Sequence, residues 1–219
     1  MKFSLNTSII RSDDKDEIKN AIILLHGYGG DGKDISSLTH SWKRHLKNTI
    51  FLCPDGHENC SINPNGFQWF DLSSENLADI LNGTYKAEKI INNYIEEVKV
   101  NFNLDDSKIC LGGFSQGCMI SINLGLTRSK KLNSILGFSG KIIDPNDLSP
   151  RIKSKIDTLL IHGDMDQIVP PSCLLDAKDF FIRNKINIDT KMIKNCDHHI
   201  SVEASSYALN FLKKNLNNV

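Results

Sequence analysis

Several things are missing from this chain, and each absence excludes a class of protein. No apolar run in its 219 residues approaches the ~20 needed to cross a bilayer, so no stable membrane insertion is expected. The opening Met1-Lys2-Phe3-Ser4-Leu5-Asn6-Thr7 has no apolar stretch of signal-peptide length, and a cytoplasmic protein is the expectation. An excess of either charge is missing too. Lys plus Arg number 26 and Asp plus Glu number 26, which gives no basic balance for nucleic acid. None of the six cysteines forms a Cys-x-x-Cys pair. Several lie inside apolar runs, where a reduced thiol packs as a small hydrophobe. His26, His40, His45, His57 and His162 show no metal-ligand spacing, and no His-Glu-x-x-His run occurs. Neither a metal nor an organic cofactor is therefore expected. With no repeat, low-complexity tract or linker, residues 1–219 read as a single domain.

What the chain does have is alternation. Phe3 and Leu5 alternate with polar residues, as in a half-exposed edge strand. Ala21-Ile22-Ile23-Leu24-Leu25 is continuously apolar, the mark of a parallel strand buried on both faces. A glycine-rich loop, His26-Gly27-Tyr28-Gly29-Gly30, follows, with a helix expected near Asp34. Further strands are expected at 48–53, 134–138 and 158–161, and a one-sided edge strand at 186–192. The spacing of Ala87, Ile90, Ile91, Tyr94, Ile95 and Val98 predicts an amphipathic helix over 85–100. Helices are also expected over 172–185 and at the end, where Ala204, Tyr207, Ala208, Phe211, Leu212 and Leu216 share a face. Residues 141–154, with Pro145 and Pro150, read as loop. The stretch from 54 to about 84 reads as a long irregular segment that borders a site. Strands alternating with helices make a mostly parallel sheet covered on both faces, with ligands beyond the carboxyl ends of its strands.

Three such strand ends carry chemistry. Gly113-Phe114-Ser115-Gln116-Gly117 follows an apolar strand and precedes an apolar helix. That context suits a sharp turn with Ser115 at its apex and flanking glycines that let strand and helix pass closely. The helix start behind the serine offers free N–H groups to a developing oxyanion. A hydroxyl needs an imidazole to take its proton and a carboxylate to steady the imidazolium. The strand ending at Ile161 supplies Asp164 and Asp166. Asp166 lies farther out, with Val169-Pro170 anchoring the loop behind it, and is the better acid; Asp164 is expected to hold the loop. The strand ending near Ile193 supplies His198 and His199. His198 is taken as the base, and His199 would then begin the final helix; these residues alone do not separate the two. The order Ser, Asp, His is that of α/β-hydrolases.

These residues resemble the phospholipase/carboxylesterase family of α/β-hydrolases, which includes acyl-protein thioesterases and bacterial carboxylesterases. The likeness runs through His26-Gly27-Tyr28-Gly29, Trp69-Phe70-Asp71, Gly113-Phe114-Ser115-Gln116-Gly117 and Phe138-Ser139-Gly140. It continues through residues 162–170 and 198–203, and covers the chain from Ile22 to Leu212. The resemblance implies Ser115 as nucleophile, Asp166 as acid and His198 as base, the last from the match to His-x-Ile-Ser-x-Glu. It also implies an oxyanion hole from the backbone N–H groups of Tyr28 and Gln116. Three features depart from the family pattern. Cys118 follows Gly117 and would crowd the helix start, Tyr28 would narrow the mouth, and Asp197 stands beside His198.

The expected activity is hydrolysis of carboxylic esters or thioesters through an acyl-enzyme, with short- to medium-chain acyl substrates. Phe67, Trp69 and Phe70 are expected to line an apolar acyl groove, though packing under a loop would explain them as well. The substrate would be a small-molecule or lipid acyl ester or thioester, or an S-acylated protein. Acyl-protein thioesterase, lysophospholipase and peptidase activities stay open, as does a non-catalytic binding protein of the same fold.

Overall fold

A computed structural model of the chain describes residues 2–13, 17–74 and 76–216. Residue 1 and residues 217–219, the two ends of the expected domain, lie outside the described residues, as does residue 75 of the irregular segment. The strands of the main sheet are β1 (Thr7–Arg11), β2 (Asn20–Leu25), β3 (Thr49–Pro54), β6 (Ile109–Phe114), β7 (Ser134–Phe138), β8 (Asp157–Gly163) and β9 (Ile188–Ile193). Their order is β1-β3-β2-β6-β7-β8-β9, and only β1 runs antiparallel to its neighbour. Two short strands, β4 (Glu58–Asn59) and β5 (Phe67–Gln68), pair as a separate hairpin.

The continuous apolar run of β2 explains the two-faced core. Ile23 and Leu25 pack on one side with α3 (Leu77–Phe102), α4 (Gln116–Thr127) and α6 (Ser172–Arg183). Ile22 and Leu24 pack on the other with α1 (Gly32–Ser36), α2 (Thr39–Trp42) and α7 (Val202–Leu216). Successive strand side chains point to opposite faces, so a strand between two helical layers must be apolar at every position.

Four details differ from expectation. The edge strand is β1 and not the Phe3–Leu5 stretch, whose two apolar residues instead pack half-buried against the core. The long helix begins at Leu77 rather than Tyr85, because the Asn76 side chain accepts from Ala78 N–H (2.9 Å) and caps it. The stretch 141–154 holds a helix, α5 (Pro145–Arg151), capped by Asp144. Pro145 sits in its first turn, where no N–H is needed, and Pro150 in its last. Tyr207 is 41% exposed, leaving the buried face of α7 with the Lys191 ammonium 4.2 Å from its ring centre.

Candidate active site

The turn between β6 and α4 is built by what its glycines lack. A Cβ on Gly117 would lie 2.2 Å from the Leu25 carbonyl oxygen, and one on Gly113 2.6 Å from the same atom. Both glycines therefore let the strand–helix corner press against the end of β2. Ser115, at the apex, is forced to φ 52°, ψ −114°, a costly conformation for a residue with a side chain. Its own N–H donates to Phe138 O (2.8 Å), so the backbone is tied down while the hydroxyl faces out of the sheet.

Asp166 and His198 arrive from the ends of β8 and β9. His198 Nε2 is 3.0 Å from Ser115 Oγ, and His198 Nδ1 is 2.7 Å from Asp166 Oδ2. The Phe114 ring packs 4.8 Å from the imidazole, centre to centre. The other carboxylate oxygen of Asp166 accepts from Ile168 N–H (3.0 Å) and Val169 N–H (2.9 Å). His162 bonds to Val169 O (2.8 Å) and its Nε2 stands 3.3 Å from Asp166 Oδ2. Burial alone would raise the Asp166 carboxyl, but the bonds from His198, Val169 and Ile168 hold it below the ordinary carboxylate range. Asp164 accepts a long bond from Cys196 N–H (3.4 Å) and so steadies the loop.

Gln116 is fully buried. Its side chain accepts from Trp69 N–H (2.9 Å) and donates to Phe70 O (2.6 Å). Trp69 in turn donates its indole N–H to His26 O (2.9 Å). His26 Nδ1 bonds to Gly27 O (2.7 Å), and its Nε2 accepts from Gly56 N–H (2.8 Å). Burial lowers this imidazole below the usual range, in keeping with a neutral ring that donates at one nitrogen and accepts at the other. Trp69 and Phe70 are thus corrected: they are core residues at 0% and 1% exposure, holding the loop rather than facing a cleft. Phe67 is half-buried, 6.5 Å from the His26 ring, and is not on the wall of the cavity beside His198.

That cavity measures about 720 Å³ and lies between α1–α2 and α7. Ile35, Leu38, Ile200 and Leu209 supply apolar walls over the buried Trp42, and His198, Phe114, Gly27 and Tyr28 form the end nearest Ser115. Nothing in the sequence marked these residues as lining a cavity.

The departures have physical answers. Cys118 crowds nothing, because its sulfur fills the space that a Cβ on Gly137 (2.3 Å) or Gly140 (2.4 Å) would claim. Burial pushes its thiol up to about 12, so it stays protonated beside Ser115. Asp197 bonds to His199, not His198. The Tyr28 hydroxyl is held by Ser61 Oγ (2.7 Å) and donates to Asp71 (3.1 Å).

A serine, imidazole and carboxylate in line, above the carboxyl ends of a parallel sheet with this strand order, define an α/β-hydrolase. The family profile described as Phospholipase/Carboxylesterase matches residues 6–216. An acyl-protein thioesterase 1 of Kluyveromyces lactis is 30% identical over 213 residues, covering 90% of this chain and 92% of that one. One from Schizosaccharomyces pombe is 30% identical over 178 residues, covering 76% and 77%. The crystal structure of esterase PE8 superposes with a TM-score of 0.91 at 31% identity, covering 97% of this chain and 99% of that one. The chain belongs to the phospholipase/carboxylesterase family and is a carboxylic ester hydrolase.

Proposed function

We propose that Ser115 is the nucleophile, His198 the general base and Asp166 the orienting acid of this hydrolase. The observation that carries the reading is the bridge of His198 between Ser115 Oγ (3.0 Å) and Asp166 Oδ2 (2.7 Å). Ser115 Oγ attacks the carbonyl carbon while its proton passes to His198 Nε2. The negative oxygen is received by the N–H groups of Tyr28 and Gln116. Two observations support that pair. Gln116 opens α4, where N–H groups lack helical partners, and the neighbouring amides of Gly29 and Gly30 are already given to Phe67 O and Gly27 O. Collapse breaks the bond to the alcohol or thiol, which takes the proton from His198. Water then repeats the cycle on the acyl-serine and frees the acid.

The substrates proposed are short- to medium-chain acyl esters and thioesters. A second reading, release of acyl groups from S-acylated protein, is favoured by the likeness to the two acyl-protein thioesterases. All six cysteines are free, which suits a reducing compartment such as the cytoplasm. Among the described residues no helix is long and apolar enough to cross a membrane. A fluorophosphonate probe tests the core of this reading: it should label the wild type and spare Ser115→Ala. An unlabelled wild type would point instead to a binding protein, and equal labelling of the variant to a different nucleophile.

A further inference from the structure

We infer that the cavity between α1–α2 and α7 holds the leaving group of the substrate, an apolar alcohol or thiol chain, and so sets leaving-group specificity. The inference rests on the proposed triad. During collapse of the tetrahedral intermediate, the departing oxygen or sulfur takes its proton from His198 Nε2, so it must start next to that nitrogen. The substituent it carries therefore extends along whatever surface adjoins the imidazole. Here that surface is the 720 Å³ cavity, whose near end is formed by His198 and its packing partner Phe114. Gly27 and Tyr28 wall the same end, beside the amide assigned to the oxyanion. No residue of the 138–145 or 164–173 stretches, on the Asp166 side of the serine, lines it.

The walls fit an alkyl chain. Ile35, Leu38, Ile200 and Leu209 face the space, and its volume falls within the range that small ligands fill. The floor is rigid: Trp42 is fully buried, and its indole N–H donates to Ser205 O (3.2 Å) and Ser205 Oγ (3.0 Å), tying α2 to α7. Ser41, Ser206 and Arg44 also line the cavity, adding polar groups. An aliphatic alcohol or thiol several carbons long matches this surface.

Two cavity-filling variants from opposite walls test the assignment, Leu38→Trp and Leu209→Trp. Each would be assayed on acetate esters of primary alcohols from methyl to octyl, then on p-nitrophenyl esters from acetate to octanoate. The first series varies only the leaving group, the second only the acyl chain. The octyl-to-methyl ratio of kcat/KM should fall about tenfold or more in each variant, since several methylenes lose their pocket. The octanoate-to-acetate ratio should stay within about twofold of wild type. The opposite pattern would give the cavity to the acyl chain and overturn the inference, as would unchanged ratios in both series for both variants. Retained fluorophosphonate labelling and melting temperature show that the variants are folded with a working nucleophile. Failure of the triad reading would appear separately, as an unlabelled wild type.

Discussion

The Gln116 side chain offers a sharp test, because it makes two buried hydrogen bonds at once. In Gln116→Met the volume is nearly kept, but Trp69 N–H and Phe70 O lose the bonds of 2.9 and 2.6 Å that Gln116 supplies. Gln116, Trp69 and Phe70 are all almost fully buried. Each buried backbone group left unpaired costs about 1–3 kcal/mol, so the pair should cost about 4 kcal/mol. For a chain of this size each kcal/mol lowers the melting temperature by roughly 2–4 °C. A drop of roughly 10 °C is therefore expected by differential scanning calorimetry. Gln116→Glu separates the two bonds, since an ionised carboxylate still accepts from Trp69 N–H but cannot donate to Phe70 O. Its buried carboxyl would have a raised pKa. Its protonated form donates to Phe70 O again, so the defect should shrink at mildly acid pH and grow as pH rises. A Gln116→Met protein melting within about 2 °C of wild type would refute the clamp.

Asp166→Asn should lower kcat by about ten-thousand-fold and Ser115→Ala by about a million-fold, judging by other triads; steady-state hydrolysis of p-nitrophenyl butyrate measures both. The Asp166 carboxyl is held low in the folded chain, so its stabilising contribution is complete above the unfolded value of about 4 and lost as pH falls through the folded one. Thermal melts should show that loss below about pH 4 in the wild type and not in Asp166→Asn. Gly140→Ala would push a Cβ to 2.4 Å from Cys118 Sγ and 2.6 Å from its Cβ, costing about 1–3 kcal/mol. Adding Cys118→Gly should return part of that stability, and additive losses in urea titrations would count against the contact.

Much of this molecule was legible in its sequence, for reasons that particular residues make plain. β2 announced itself because a strand between two helical layers can hold nothing polar. Ser115, Asp166 and His198 stood out because each ends a parallel strand, where polar residues are otherwise unneeded. Other features were hidden because their cause lies across the fold. Trp69 and Phe70 looked like groove aromatics, but Gln116, distant along the chain, draws their backbone inward. The first turns of α3 were masked by Asn82 and Gly83, poor helix formers, while the Asn76 cap and tertiary packing outweigh them. The prolines of α5 suggested loop, yet they fall where a helix tolerates them. No pattern of spacing marked the cavity, since its lining on α7, Val202, Ser205, Ser206 and Leu209, lies off the apolar stripe that feeds the core.

The hydrogen bonds around Gln116 form a linked series. Its side chain grips Trp69 and Phe70, and Phe67 next to them exchanges backbone bonds with Gly29 (2.9 Å) and Gly30 (2.8 Å). Tyr28 adjoins those glycines. The two amides assigned to the oxyanion thus belong to one linked frame, although 88 positions separate Tyr28 from Gln116 (116 − 28). Their spacing then depends on the β4–β5 hairpin, which does not line the cavity beside His198. Changes on that hairpin's outer surface would then retune turnover from a distance, and evolution could adjust the catalyst there without disturbing the serine, the imidazole or the carboxylate.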